Sequence, residues 1–300
     1  MTIIICLQAA GQVKLPSFKK LSSGFSTTQN FEAGLMLGPT YYQGELSMAG
    51  VTPHFPGIQA GGFVRYNMTN SLSVRAGFNY GKIKGSDAAW GRFYDSTVQS
   101  YDPGFQLQAR YYEHRKRNLR FYSKIPELNL IFELKLWNPY KRKGGFRSVP
   151  YLLFGLGLFH FNPKTVDRHG KIVFLHRYQT EIYKSYRLWQ PCLPLGMGFK
   201  FNPDKNWYVA LEVGWRKTFT DWLDDVHHNY AGTAAANDVY LQQLSDRSGE
   251  ISPLYGELWR KTTFNPNEYI RGNPKTKDSY FFCGVIVNRK FKSYQTCTNF

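Results

Sequence analysis

Cysteine is scarce in this chain: four in 300 residues, at positions 6, 192, 283 and 297. Thiols so spread form neither the disulfide framework of a small secreted domain nor a CxxC or Cys/His spacing that would hold zinc. Long apolar runs are also missing. A membrane-crossing helix needs roughly 20 consecutive apolar residues, and the longest run here, residues 151–161, is shorter and contains His160. GxGxxG, P-loop and HExxH patterns are absent, and the basic charge comes with no nucleic-acid motif, so no nucleic-acid partner is expected. Acidic residues are few, 21 Asp+Glu against 38 Lys+Arg, which leaves a formal net charge of +17. That excess admits anionic lipid or an acidic protein partner, and its location matters more than its total. What the chain has in plenty is aromatic residues, 23 Phe, 21 Tyr and 7 Trp. Disordered chains lack that apolar area, so this one folds.

The first residues read as the end of an export signal. Ile3, Ile4, Ile5, Cys6 and Leu7 form an apolar stretch, and Gln8, Ala9, Ala10 and Gly11 supply the small residues a signal peptidase accepts. The basic segment that normally precedes such a stretch is not there. Residues 1–11 are therefore expected to be a residual signal peptide, followed by a polar arm over 12–30 in the periplasm. Cys6 as a lipid attachment site is disfavoured by the large Ile5 before it.

From residue 31 onward the periodicity is two. Ile58, Ala60, Gly62, Val64 and Tyr66 alternate with Gln59, Gly61, Phe63 and Arg65, and Leu72, Val74, Ala76, Phe78 and Tyr80 with Ser73, Arg75, Gly77 and Asn79. The same pattern runs over residues 189–201 and 207–215, with weaker copies over 31–45, 119–137, 151–162 and 279–291. That is the pattern of a strand with two unlike faces. The connections alternate in length: 67–71, 138–148 and 202–206 are short, while 47–57, 83–118, 163–187 and 219–278 are long. A soluble sandwich has no reason for such a rhythm. An outer-membrane barrel does, with short periplasmic turns, long external loops and an even strand number.

Two further features favour the barrel over a soluble jelly roll. The less apolar face is rich in glycine (Gly61, Gly77, Gly155, Gly157, Gly196, Gly198, Gly214, Gly284), where a water-facing sheet would carry Thr, Lys or Glu. The apolar faces start or stop on aromatics such as Tyr41, Tyr66, Tyr80, Trp137, Trp189, Trp207, Trp215 and Phe291, as interfacial girdles do. The expected fold is all-β: an eight-stranded antiparallel transmembrane β-barrel over 31–291 with a tail at 292–300.

Residues 150–157 (PYLLFGLG), 214–226 (GWRKTFTDWLDDV), 246–248 (DRS) and 271–274 (RGNP) carry a resemblance to a known family. They look like the outer-membrane barrels of Bacteroidetes that include PorG, the barrel component of the type IX secretion system. The loop rhythm of such a barrel places both termini in the periplasm, and the resemblance implies a non-enzymatic outer-membrane barrel associated with the periplasmic ring lipoprotein of that secretion and gliding machinery. The tail at 292–300 departs from the pattern.

Three groups of residues are candidates for function. Glu32, Glu127, Glu133 and Glu212 with Arg65, Arg75, Lys135, Lys200 and Arg216 fall on the inward face. An eight-stranded barrel is just wide enough for side chains, so these are expected to pair and plug the lumen rather than relay protons. Lys141, Arg142, Lys143 and Arg147 place four bases and no acid in one short turn beside Gly144-Gly145. That turn is the candidate contact with an acidic partner, its competitor being attraction to lipid headgroups; outer-membrane lipid and lipopolysaccharide are expected neighbours either way. Asp221, Asp224, Asp225 and Asp246 could hold a hard cation, but they lack the glycine and spacing of a calcium loop, so capping and salt bridges are expected instead, with no metal and no cofactor. His227-His228 are adjacent rather than spaced to share a metal. His160, His176 and Ser185 have no nucleophile motif around them, so no catalytic residue is expected. The alternative function is a surface adhesin or structural barrel whose long loops bind ligands.

Overall fold

A computed structural model of the chain describes residues 31–47, 56–88, 117–136, 148–181, 185–203, 205–228, 230, 238–251 and 271–291. The expected signal segment, arm, basic turn and tail lie outside the described residues. Eight long strands build the barrel: β1 (Phe31–Gln43), β2 (Gly57–Asn67), β3 (Leu72–Ser86), β4 (Arg120–Lys135), β5 (Ser148–His160), β8 (Trp189–Phe201), β9 (Trp207–Thr218) and β10 (Ser279–Phe291). Each pairs antiparallel with the next along the chain, β5 with β8, and β10 returns to β1. The β3–β4 pairing, from Leu72 opposite Leu134 to Ser86 opposite Arg120, completes the ring. Closure leaves no unpaired edge, the only way a sheet can cross hydrocarbon with its backbone satisfied.

Burial is inverted relative to a water-soluble protein. On β9, Trp207, Val209, Leu211 and Val213 are exposed while Tyr208, Ala210, Glu212, Gly214 and Arg216 are buried. Across the barrel Leu35 is 72% exposed and Leu156 66%, whereas Arg65 and Glu133 are fully buried. Charged side chains inside and a continuous leucine, valine and phenylalanine belt outside far exceed any apolar patch a soluble monomer presents to water. The belt is bounded by aromatics. Phe31 and Tyr66 sit side by side with ring centroids 5.0 Å apart at one rim, and the register aligns Tyr41, Phe281 and Trp215 toward the other. β8 runs from Trp189 to Phe201; at about 3.3 Å per residue and the usual tilt it covers about 30 Å, the thickness of a hydrocarbon core. Among the described residues no helix is long and apolar enough to cross a membrane.

The two rims differ. At the turn rim, residues 68–71 fold by local chemistry: the Thr69 hydroxyl accepts from the amides of Ser71 and Leu72, and Asn202 takes a left-handed conformation, φ 49°, to reverse the chain into β9. Among the described residues the loop rim carries further regular structure. Residues 163–187, expected as loop throughout, contain a hairpin, β6 (Lys164–Val166) and β7 (Ile172–Phe174), and the short helix α1 (Leu175–Tyr178). Three-residue strands are too short to register as a period of two. In the last loop, Asp238 caps helix α2 (Val239–Ser245) by accepting from the amides of Tyr240 and Leu241.

Candidate functional site

The lumen fills in two layers. Toward the turn rim, alternation on six strands points charged side chains at one another. Arg65 lies directly opposite Arg75 in the β2–β3 register, an arrangement that repels unless acids intervene. Glu133 intervenes: it accepts Arg65 at 2.9 and 3.0 Å, Arg75 at 3.2 Å and Lys200 at 2.6 Å. Arg65 also holds Glu32 at 2.6 Å, the Tyr208 hydroxyl at 2.7 Å and Asn288 at 3.0 Å. Arg75 grips Glu212 with both terminal nitrogens, at 2.6 and 2.8 Å, and Glu212 also accepts the Tyr151 hydroxyl at 2.8 Å. Nearer the loop rim, Glu127 accepts the Tyr280 hydroxyl at 2.8 Å and stands 3.4 Å from Arg216. The Arg65 and Arg75 guanidiniums both lie over the Phe63 ring, 4.8 and 4.7 Å from its centroid.

Four carboxylates thus meet four cations. The fifth inward base of the sequence reading, Lys135, stands apart: it is half-buried at the turn rim, reaches Asn67 at 3.5 Å and makes no ion pair among the described residues. The tyrosines that complete the network, Tyr151, Tyr208 and Tyr280, were not singled out from the sequence, although their even-odd positions place them on the inward face. Above this layer Met36, Ile83, Ile125, Phe159 and Phe282 pack as an apolar plug. Among the described residues these side chains occupy the lumen at both levels. Planar bilayers containing the purified protein are expected to show no stable large conductance, and persistent wide channels would contradict the plug.

The loop rim is tied by a second network. Arg117 pairs with Asp87 at 2.7 Å and donates to the Arg271 carbonyl. Arg271 pairs with Glu181 at 3.0 Å and donates to the backbone carbonyls of Asp225 and Ser245. Glu181 accepts the amides of both His227 and His228, and Arg247 reaches Thr165 of the β6–β7 hairpin at 2.7 Å. The segments 214–226, 246–248 and 271–274, dispersed along the sequence, therefore meet in one cap. His176 bonds the Tyr186 carbonyl and His160 packs against Trp189.

The aspartates expected to cap turns and make salt bridges are held mostly by hydroxyls and amides, with one contact to a histidine. Asp225 accepts from the Tyr186 and Thr180 hydroxyls. Asp224 and Asp278 both contact the Tyr42 hydroxyl at 2.8 Å, and Asp221 faces His227 at 2.7 Å. Asp246 caps the next turn through the Ser248 amide. Glu45, which the sequence reading passed over, joins Asp221 and Asp278. Burial raises five of these acids: Asp221 up to about 7 against the pull of Lys277, Glu45 to about 7 with help from the Asp221 charge, Asp225 to about 6 despite Arg271. Asp224 and Asp278 are lifted well above the carboxylate range by burial and by neighbouring acids.

A third feature lies outside the barrel, just beyond the belt at the loop rim. Lys82 and Lys84 of β3 and Lys124 of β4 face outward beside Lys164 of β6, with Lys82 directly opposite Lys124. None of the four makes an ion pair among the described residues, and Lys82 lies over the Tyr122 ring at 4.4 Å.

A family model described as "Domain of unknown function (DUF6089)" matches residues 16–237. No curated protein matches the sequence. Solved structures similar to this chain include Neisserial surface protein A (NspA), at 12% identity over 89% of this chain and 100% of that one with a TM-score of 0.38. The attachment invasion locus protein Ail of Yersinia pestis, in complex with the heparin analogue sucrose octasulfate, has 10% identity over 88% of this chain and 99% of its own, TM-score 0.37. The N-terminal β-barrel domain of Pseudomonas aeruginosa OprF has 11% identity over 88% and 99%, TM-score 0.35. Likeness of this degree says nothing of ligand or partner.

Proposed function

We propose that this chain, which belongs to the DUF6089 family, is a non-enzymatic barrel of the bacterial outer membrane that anchors a periplasmic ring protein of the type IX secretion machinery. The observation that carries the membrane reading is the inverted burial, with Leu35 72% exposed outside and Glu133 fully buried inside. In this reading the turn rim and both termini face the periplasm and the capped loops face outward. The outward lysines 82, 84, 124 and 164 then lie at the outer-leaflet headgroups, where phosphates of lipopolysaccharide would relieve the repulsion between Lys82 and Lys124. The secretion role rests on the resemblance of residues 150–157, 214–226, 246–248 and 271–274 to the PorG-containing barrels.

A filled lumen and a tied loop rim suit an anchor better than a pore. The contact with a periplasmic partner is assigned to the turn bearing Lys141, Arg142, Lys143 and Arg147. The test is co-purification of envelope neighbours after mild detergent extraction. Recovery of a periplasmic lipoprotein ring is expected with the natural sequence and is expected to fall as salt rises, since rim charges act within a Debye length. Lys141→Glu, Arg142→Glu and Lys143→Glu combined are expected to lower that recovery at moderate salt while the barrel still shifts in SDS on boiling. Unchanged recovery with the triple variant removes the turn from the interface; a protein found outside the outer-membrane fraction refutes the anchor itself.

A further inference from the structure

We propose that the loop rim holds a calcium ion between Glu45, Asp221 and Asp278. These residues come from three places in the chain: the turn after β1, the segment leaving β9 and the residue preceding β10. Each offers one carboxylate oxygen, and the three oxygens lie within 4.8 Å of one another. Carboxylates at that separation repel. Among the described residues His227 is the one basic side chain within ion-pair distance of these three acids, and Lys277 pulls on Asp221 from farther away. Arg117 is engaged by Asp87 and meets Glu45 through the backbone carbonyl at 3.3 Å.

An observation independent of the clustering points to a ligand. Asp221 is 1% exposed, and with its Oδ2 on His227 its Oδ1 is buried with no hydrogen-bond partner; Glu45 Oε2 is buried in the same state while its Oε1 accepts the Asn273 amide at 3.2 Å. Buried anionic oxygens are costly to leave unmade, more so than neutral ones. Gly44 packs directly against this group: a Cβ there would stand 1.9 Å from both Asp278 Oδ1 and the Tyr42 hydroxyl, so a larger residue would displace them. A bound cation would satisfy both orphan oxygens and offset the repulsion at once.

The donor set selects the ion. All-oxygen ligation by carboxylates from separate loops suits calcium, which accepts six to eight oxygens in irregular geometry at about 2.3–2.6 Å. Magnesium keeps most of its water and seldom uses an all-protein cage. The positions also say what the ion would do. Asp221 and Asp278 stand at the two ends of the connection between β9 and β10, and Glu45 stands on the first loop, so one ion would fasten the longest loop to the barrel mouth. This inference does not depend on the secretion role.

Full-length protein folded in detergent micelles and stripped with EDTA is titrated with Tb³⁺, whose emission Trp222, next to Asp221, can sensitise; Ca²⁺ and Mg²⁺ then compete. Saturable emission at one site is expected, reversed by Ca²⁺ at about 10⁻⁴–10⁻³ M as in extracellular modules and only weakly by Mg²⁺. Asp221→Asn and Glu45→Gln are each expected to weaken binding about tenfold or more, while Glu250→Gln, whose carboxylate pairs with Arg247, leaves it unchanged. Absence of saturable emission, or natural affinity in either loop variant that still migrates as a folded barrel, overturns the site. Displacement by Mg²⁺ at lower concentration than Ca²⁺ overturns the choice of ion. If Asp221→Asn does not fold, the half-buried Glu45 position and the titration of the natural protein decide.

Discussion

Glu133→Gln is expected to lower barrel stability by about 3–5 kcal/mol, the cost of leaving buried charges without their partner. Three cations converge on this one carboxylate: Arg65, Arg75 and Lys200, the last at 2.6 Å. Glutamine keeps the shape and removes the charge. Arg65 retains Glu32 and Arg75 retains Glu212, so the residual excess falls on Lys200, whose ion pair among the described residues is with Glu133 alone. The double variant Glu133→Gln, Lys200→Met is therefore expected to recover a large part of the loss, since it discards the orphaned ammonium together with the acid that held it. Urea unfolding of protein inserted in phospholipid vesicles, followed by tryptophan emission and by the boiling-dependent gel shift, reads both effects. A loss below about 1 kcal/mol for the single variant would mean that water reaches and screens the lumen, as it does at a protein surface, and the sealed-barrel account would be wrong.

The second large effect is steric. Gly198 of β8 faces the lumen, and a Cβ there would stand 2.4 Å from the Tyr151 ring and hydroxyl and 2.6 Å from the Leu211 carbonyl of the next strand. Gly198→Val is expected to destabilise by about 3 kcal/mol, combining overpacking with loss of the Tyr151 bond to the Glu212 carboxylate. Tyr151→Phe isolates the hydroxyl and should cost about 1.5–3 kcal/mol, the range for a bond to a charged group. Tyr151→Leu should relieve part of the Gly198→Val penalty, because the ring that blocks the new side chain is gone. If Gly198→Val matches the natural protein in the same unfolding experiment, the strands at this level are farther apart than the structure places them.

Several features of this barrel are written in short stretches of sequence. Alternation on β9, with Trp207, Val209, Leu211 and Val213 against Tyr208, Ala210, Glu212 and Gly214, separates lipid-facing from lumen-facing residues without any knowledge of the neighbours. The same local rule puts Glu32, Arg65, Arg75, Glu127, Glu133, Lys200, Glu212 and Arg216 inside. The hairpin β6–β7 escaped because three residues cannot display a period. The outward lysines escaped for a different reason: Lys82 and Lys124 are each unremarkable in their own strand, and only the β3–β4 register sets them face to face.

By itself, then, the sequence determined the strands, their two faces and the rhythm of turns and loops, because a period of two and a turn residue are properties of a few consecutive positions. Which charges meet was decided by the tertiary structure. Arg75 and Glu212 are 137 residues apart and Lys200 and Glu133 are 67 apart, and nothing local records the strand order and stagger that bring them within 3 Å. The acidic group at the loop rim is the clearest case. Glu45, Asp221 and Asp278 share a site only because β10 closes on β1 and on β9, so that the end of the first strand, the exit of the ninth and the start of the tenth lie side by side.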